Sequence, residues 1–439
     1  MAQQRFWMPT RTGTVLLVSL AALTLAHAKS LRAEPVVAAP SPADEAVIPE
    51  VDTSVALAQR EMFGMALAAL VIFVAAGGGT GGGGVLDPIY ILIMGLSAKI
   101  AIPLSSITIL GGAIGNLFLN LRRTRDNSTQ PLIDWDVILV MQPLLLLGAT
   151  CGTFLNTIMP TWLLCILLVL VLSVTGTRTL HKAISARQKE RWQCGVSPET
   201  TSLLAIDDPM KAHNTAEQKV EPRADVPWQK LAALLGLFVT IAGMRVLRGG
   251  KNFDSPLGIE SSSALYPVLV ALPYAFLVGT CYYSLKNLGV TYKKQQTPGY
   301  ELEEHEIKWT PSSIRFFPMF SLAAGAVSGM FGIGGGIING PLLLEVGIDP
   351  SAASAMTAAT VLFSSGMSSF NYLAMGKMDL HLAQLMLPMG LLMTYIGHVC
   401  LLKVVRRFNC PSLIIFSMAT IVLISAAAMS IESVRALLG

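Results

Sequence analysis

Gly77-Gly78-Gly79-Thr80-Gly81-Gly82-Gly83-Gly84 interrupts an apolar chain, following residues 62–76 and preceding residues 85–96. A second break, Gly332-Ile333-Gly334-Gly335-Gly336, sits between the apolar stretches 316–331 and 337–346. The two regions align without a gap at one offset, 336 − 84 = 252. At that offset Gly77 meets Gly329, Gly82, Gly83 and Gly84 meet Gly334, Gly335 and Gly336, and Asp87 meets Asn339. Further on, Gly95 meets Gly347, Ala101 meets Ala353, Ser105 meets Thr357 and Thr108 meets Thr360. Glycine, small and hydroxyl positions kept in register this far predict an internal repeat.

Around the breaks the composition is that of a membrane protein. Charged residues are 13% and apolar residues 53% of the 439, against roughly 25% charged in a soluble domain. Mean hydropathy is +0.59. A formal charge of +4 gives no case for nucleic acid. Lipid offers no hydrogen-bond partners, so irregular backbone at membrane depth survives only where protein or water satisfies it. Glycines let the chain leave helical geometry there without a Cβ penalty. Broken helices in matching repeats point to a transporter's substrate site.

Hydropathy predicts an all-α, polytopic membrane protein of about 10–12 segments, given roughly 20 apolar residues per span. Expected spans are 62–80, 85–98, 101–121, 137–157, 161–177, 231–248, 264–283, 316–332, 337–348, 352–375, 381–403 and 411–431. The two short ones follow the breaks and read as half-helices or re-entrant segments. Ahead of them, residues 1–28 carry Arg5, Arg11, an apolar stretch and Ala26-His27-Ala28, the form of a secretory signal peptide. The proline-bearing stretch 29–60 reads as a non-cytosolic linker. A first transmembrane repeat over 61–177, a cytosolic loop over 178–229 and a second repeat over 230–439 complete the organisation.

Crossing at each span from outside puts Arg122, Arg123, Arg125, Arg178, Lys182, Lys293, Lys294, Arg406 and Arg407 inside, while Arg245, Arg248 and Lys251 fall outside. This is the positive-inside pattern. It gives the two repeats opposite orientation. A glycan on the sequon Asn127-Ser128-Thr129, expected in the cytosol, would overturn it.

The helix after each break offers free N–H groups and a positive dipole end, an anion site. The plainer reading is that glycines permit tight helix packing. Ser354, Thr357, Ser364 and Ser368, with Thr360 beside them, and Ser105, Thr108, Gly112 and Asn116 make two polar stripes. They suit an oxyanion, or glue between helices. Asp87 and Glu345 are intramembrane acids, functional by default, able to couple a proton or to cap a broken helix. Lys99 and Arg245 read as interface anchors or pathway charges, and His398 as a satisfied buried histidine. The six cysteines show no CxxC spacing, and no His-Glu-x-x-His occurs, so neither a metal nor a catalytic centre is expected.

Two motifs of the form Ala-Gly-x-x-x-Gly-x-Gly-Gly-Gly, then Pro, Gly and a small-residue helix, resemble the sulfite exporter TauE/SafE family, the four-toluene-sulfonate-uptake-like permeases. The second copy, Ala324-Gly325 through Gly329 to Gly336 with Pro341 and Gly347, is close to the pattern; the first, with Asp87-Pro88 after four glycines, is looser. The resemblance covers about residues 60–175 and 230–435. It implies a permease for a small sulfur-containing anion, driven by an ion gradient such as protons or sodium, with no cofactor and with Gly82, Gly83, Gly84, Gly334, Gly335 and Gly336 at the substrate. The residues themselves add Asp87, Asn339, Ser105, Thr108, Thr357 and Thr360. Alternatives from the residues are a non-transporting scaffold that binds partners through 178–229, and a cation permease using Asp87 and Glu345.

Overall fold

The computed structural model describes residues 50–76, 83–121, 123–124, 131–195, 227–249, 265–297, 309–346, 348, 350–408, 419–420 and 422–430. The expected signal peptide, most of the linker, the sequon, Gly82 and much of the central loop lie outside them. Among the described residues the regular structure is helical, and seven helices are long and apolar enough to cross a membrane. The protein is a multi-pass integral membrane protein.

The described helices are α1 (Glu50–Ala75), α2 (Gly83–Pro88, running on as a π-helical turn, Ile89–Ile93), α3 (Ala98–Asn120), α4 (Trp135–Ile158), α5 (Thr161–Gly195), α6 (Trp228–Arg248), α7 (Leu265–Gln295), α8 (Pro311–Phe331), α9 (Gly336–Glu345), α10 (Pro350–Ala374) and α11 (Leu380–Phe408). α10 begins 252 residues after α3, 350 − 98. α5 outruns its apolar stretch, because the residues after 177 are mostly good helix formers with neither glycine nor proline until Gly195.

The short segment after the first break turns back. Met94, at its end, packs on Gly64 of α1, and the Arg60 guanidinium donates to the carbonyls of Ile93 and Leu92. The chain thus returns to the level of Arg60 and Gly64 on α1. A returning hairpin and two full crossings leave the next helix on the same side, so the parity behind the charge count is unaltered.

Packing between α1–α4 and α8–α11 is reciprocal. α8 lies on α4 and α11 on α1; α11 lies on α3 and α10 on α4; α3 and α10 pack on each other. Each contact has its counterpart when α1, α3 and α4 are exchanged with α8, α10 and α11. Small residues make these approaches possible. A Cβ on Gly148 would stand 2.2 Å from the Leu322 carbonyl oxygen, and one on Gly325 2.2 Å from that of Leu145. Gly152 and Gly329 repeat the pattern one turn on, against Ala326 and Ala149, so α4 and α8 run in the same direction. Gly111 against Leu387 and Gly115 against Leu391 give α3 and α11 the same relation. Such backbone proximity is how helices associate where lipid supplies no hydrophobic drive. Gly148→Leu is expected to separate α4 from α8, seen as loss of the monodisperse peak in detergent chromatography, whereas Gly236→Leu, with open space at that Cβ, leaves the peak intact.

Candidate functional site

The two breaks meet inside the molecule. A Cβ on Gly83 would lie 2.3 Å from the Ile333 carbonyl oxygen, and one on Gly84 would lie 2.7 Å from Ile337. A Cβ on Gly332 would meet the Ile102 carbonyl oxygen at 2.4 Å and the Ser105 hydroxyl at 2.5 Å. Gly334 is held between Ile109 and Val361, repeat partners since 109 + 252 = 361. Gly332, Gly334 and Gly335 have φ of 66°, 74° and 70°. That left-handed run is open to glycine and strained for other residues. It swings the chain from the end of α8 into the start of α9.

At that start, Gly335 is the N-cap and supplies no side-chain acceptor. The first amides of α9, at Gly336 and Ile337, have no carbonyl one turn earlier to receive them. The dipole end they form faces the interior, where Gly334, Gly335 and Gly336 are buried. α2 begins at Gly83 and Gly84, also buried.

Two groups of side chains surround the breaks. On the first side Asp87 is fully buried, and neither carboxylate oxygen has a hydrogen-bond partner among the described residues. Ser105 lies beside it, and Tyr90 and Tyr372 are close enough to feel its charge. The Ser105 and Ser106 hydroxyls both donate to the Ile102 carbonyl, at 2.9 and 3.1 Å. Tyr90 and Thr108 share a hydrogen bond of 3.0 Å. On the second side Asn339 Nδ2 donates to Thr360 Oγ1 at 3.3 Å, while Asn339 Oδ1, Thr357 Oγ1 and Ser328 Oγ lack partners among the described residues. Ser328 and Asn339 flank Gly335. The Tyr372 hydroxyl donates to the Gly329 carbonyl, linking α10 to the last turn of α8.

Ser364 Oγ donates to the Gly334 carbonyl at 2.8 Å. It satisfies an orphan backbone oxygen in the break. Ser364→Ala leaves that buried acceptor unpaired, at a cost of about 1–3 kcal/mol; the check is a lowered melting temperature in detergent with chromatographic profile unchanged.

Of the candidates the sequence offered, Gly83, Gly84, Asp87, Ser105, Thr108, Gly334, Gly335, Gly336, Asn339, Thr357 and Thr360 are buried, while Ser354 and Lys99 are half-buried. Pairs separated by about 250 residues come together through the breaks. Tyr90, Tyr372 and Ser328 were not foreseen; tyrosines in apolar runs read as packing residues, and only their hydroxyl partners mark them. His398 is 5% exposed and lies toward the Ala76 carbonyl, and neither ring nitrogen makes a hydrogen bond of normal geometry among the described residues. Arg245 on α6 is 3% exposed, and its charge reaches Cys151 of α4. A cavity of about 360 Å³ lies between α3, α6 and α10, lined by Leu110, Phe238, Phe363 and Phe370. It is apolar and includes none of the candidate residues, so volume alone does not mark the site. No group of three or more His, Cys, Asp or Glu able to hold a metal occurs among the described residues.

The family model described as Sulfite exporter TauE/SafE matches residues 64–245 and 317–436. Two plant proteins of *Arabidopsis thaliana* are similar over most of their length. Sulfite exporter TauE/SafE family protein 5 is 29% identical over 362 residues, covering 79% of this chain and 77% of that protein. Family protein 1 is 28% identical over 355 residues, covering 79% and 78%. No solved structure gives a significant match.

Proposed function

Because the chain belongs to the sulfite exporter TauE/SafE family, and is therefore a membrane transporter of sulfur anions by family, we propose that it is a secondary transporter that moves a small sulfur-containing anion such as sulfite, sulfate or an organosulfonate. The observation that carries this reading is the contact between the two glycine breaks, each opening a short helix among buried hydroxyls and amides. An anion held there would receive the free amides of Gly336 and Ile337, the positive helix end, and hydrogen bonds from Thr357, Ser328 or Ser105. Asp87 would carry the coupling proton or sodium ion.

The repeats would rock about this point as inverted halves. α3 and α4 are consecutive spans, and as successive crossings they run oppositely. α11 runs with α3, and therefore against α4, its own counterpart in the repeat. That relation and the reciprocal packing support an axis lying in the membrane plane.

The test is reconstitution in proteoliposomes and a flux panel of labelled sulfite, sulfate and an organosulfonate, with divalent cations alongside. Saturable flux of at least one sulfur anion is expected. Cation flux without anion flux, or no flux at all, overturns the reading.

A further inference from the structure

A second polar group lies between α1, α3 and α11, apart from the breaks. Gly397 of α11 is so close to α1 that a Cβ would stand 2.2 Å from the Phe73 carbonyl oxygen. The next residue, His398, lies toward the Ala76 carbonyl at the end of α1. One turn earlier, Thr394 Oγ1 would be 2.7 Å from a Cβ on Gly112 of α3. Because α3 and α11 run together, one further turn on each brings Asn116 level with His398. Thr394 and Asn116 are 0% and 1% exposed, and Thr394 Oγ1 and both amide atoms of Asn116 have no partner among the described residues. Asn120 Nδ2 donates to the Asn116 carbonyl at 3.0 Å, and the Arg123 guanidinium donates to Asn120 Oδ1 at 3.0 Å. A polar line thus runs from the interior to the Arg123 end of α3.

The charged and titratable neighbours favour an anion. Just past the end of α3 comes Arg123, whose charge reaches His398, while Lys99 lies at the far start of α3. On α1 the charged residues Glu50, Asp52, Arg60 and Glu61 all precede the apolar stretch that leads to Ala76, with Arg60 engaged by Leu92 and Ile93. On α11, Asp379 and His381 lie at the far start, and Lys403, Arg406 and Arg407 follow in the chain. From the first break, Tyr90 approaches Met386 of α11, about three turns from His398, with Asp87 beside it. No carboxylate of α1, α3 or α11 among the described residues faces the histidine. The Ala76 carbonyl can accept from one ring N–H, which leaves the other nitrogen for a ligand.

We propose that protonated His398, with Asn116 Nδ2 and Thr394 Oγ1, holds a sulfur oxyanion at a second station between the glycine breaks and the Arg123 end. The proposal rests on the anion-transport reading. The cargo then leaves the central site in two steps, and loss of the His398 proton releases it.

The test uses the purified full-length chain, with sulfate as probe because its charge is constant across the range. Affinity is read from sulfate-dependent melting at about pH 5.5 and about pH 8; an anion bound beside the ring favours its charged form at the lower value. His398→Gln is expected to weaken binding about tenfold at the lower pH and to change little at the higher, a loss the size of one charge-assisted hydrogen bond. His398→Arg should hold sulfate equally at both. Asn116→Ala, which leaves the histidine in place, should weaken binding at the lower pH as well. A His398→Gln variant that binds as the wild type at about pH 5.5 overturns the station alone, provided the wild type transports. A wild type that neither binds nor moves any sulfur anion overturns the transport reading and the station with it.

Discussion

Gly83→Ala is expected to cut anion flux at least tenfold in protein that still folds. The added methyl would sit 2.3 Å from the Ile333 carbonyl oxygen, 2.8 Å from its carbon and 2.9 Å from Ile109. Two of those atoms are backbone and belong to the other break. They cannot rotate aside, so the breaks must separate. Overpacking of this kind costs about 1–3 kcal/mol, and each 1.4 kcal/mol or so is a tenfold change in a rate or an equilibrium. Gly335→Ala reaches the same result by another route. Its nearest neighbour would be 3.3 Å away, which is tolerable, but its φ is 70°, where an L residue is strained by about 1–2 kcal/mol. Gly236→Ala, with nothing within 4 Å, is the control. Flux is scored per molecule of monodisperse protein. Unchanged flux in both break variants would mean that the glycines only pack helices.

Asp87→Asn separates the two readings of the buried acid. If Asp87 merely ends a broken helix, the amide has the same shape and can serve equally well. If it couples transport to an ion, the amide can neither carry the proton nor hold a cation. An ionised carboxylate without a counter-charge is expensive at membrane depth, and no partner for either oxygen is present among the described residues. A group that exchanges an ion during each cycle suits such a position. The expected result is loss of gradient-driven accumulation, about tenfold or more, while counterflow of labelled for unlabelled anion continues. The melting temperature stays at or above the wild-type value, since a neutral isostere is easier to bury. Accumulation at the wild-type rate would assign Asp87 to capping.

The sequence legible here is local chemistry. Lipid allows few structures, so apolar length alone identifies the helices α3, α4, α8 and α11 near their expected bounds. Glycine clusters are read without folding the chain, because the conformations they permit are a property of the residue. The offset of 252 pointed to hydroxyl and amide candidates, among which Ser105, Thr108, Asn339, Thr357 and Thr360 are buried and Ser354 is half-buried. Helix ends were less legible. α5 and α7 continue past their apolar stretches, since helical propensity does not stop where hydropathy does.

Composition determined that this chain lives in a membrane, and the glycine repeats determined where its helices break. Neither could decide the direction of the segment after the first break, because eleven apolar residues fit a half-crossing and a return equally; Arg60 and Gly64 closing on residues 92–94 decided it. Nor could they bring Gly83 against Ile333, put Tyr90 on Thr108 or set His398 toward the Ala76 carbonyl. Those depend on which helices pass within touching distance. That is fixed by backbone approaches at Gly111, Gly148, Gly325 and Gly397 between segments far apart in the chain, an outcome of packing that no single stretch encodes.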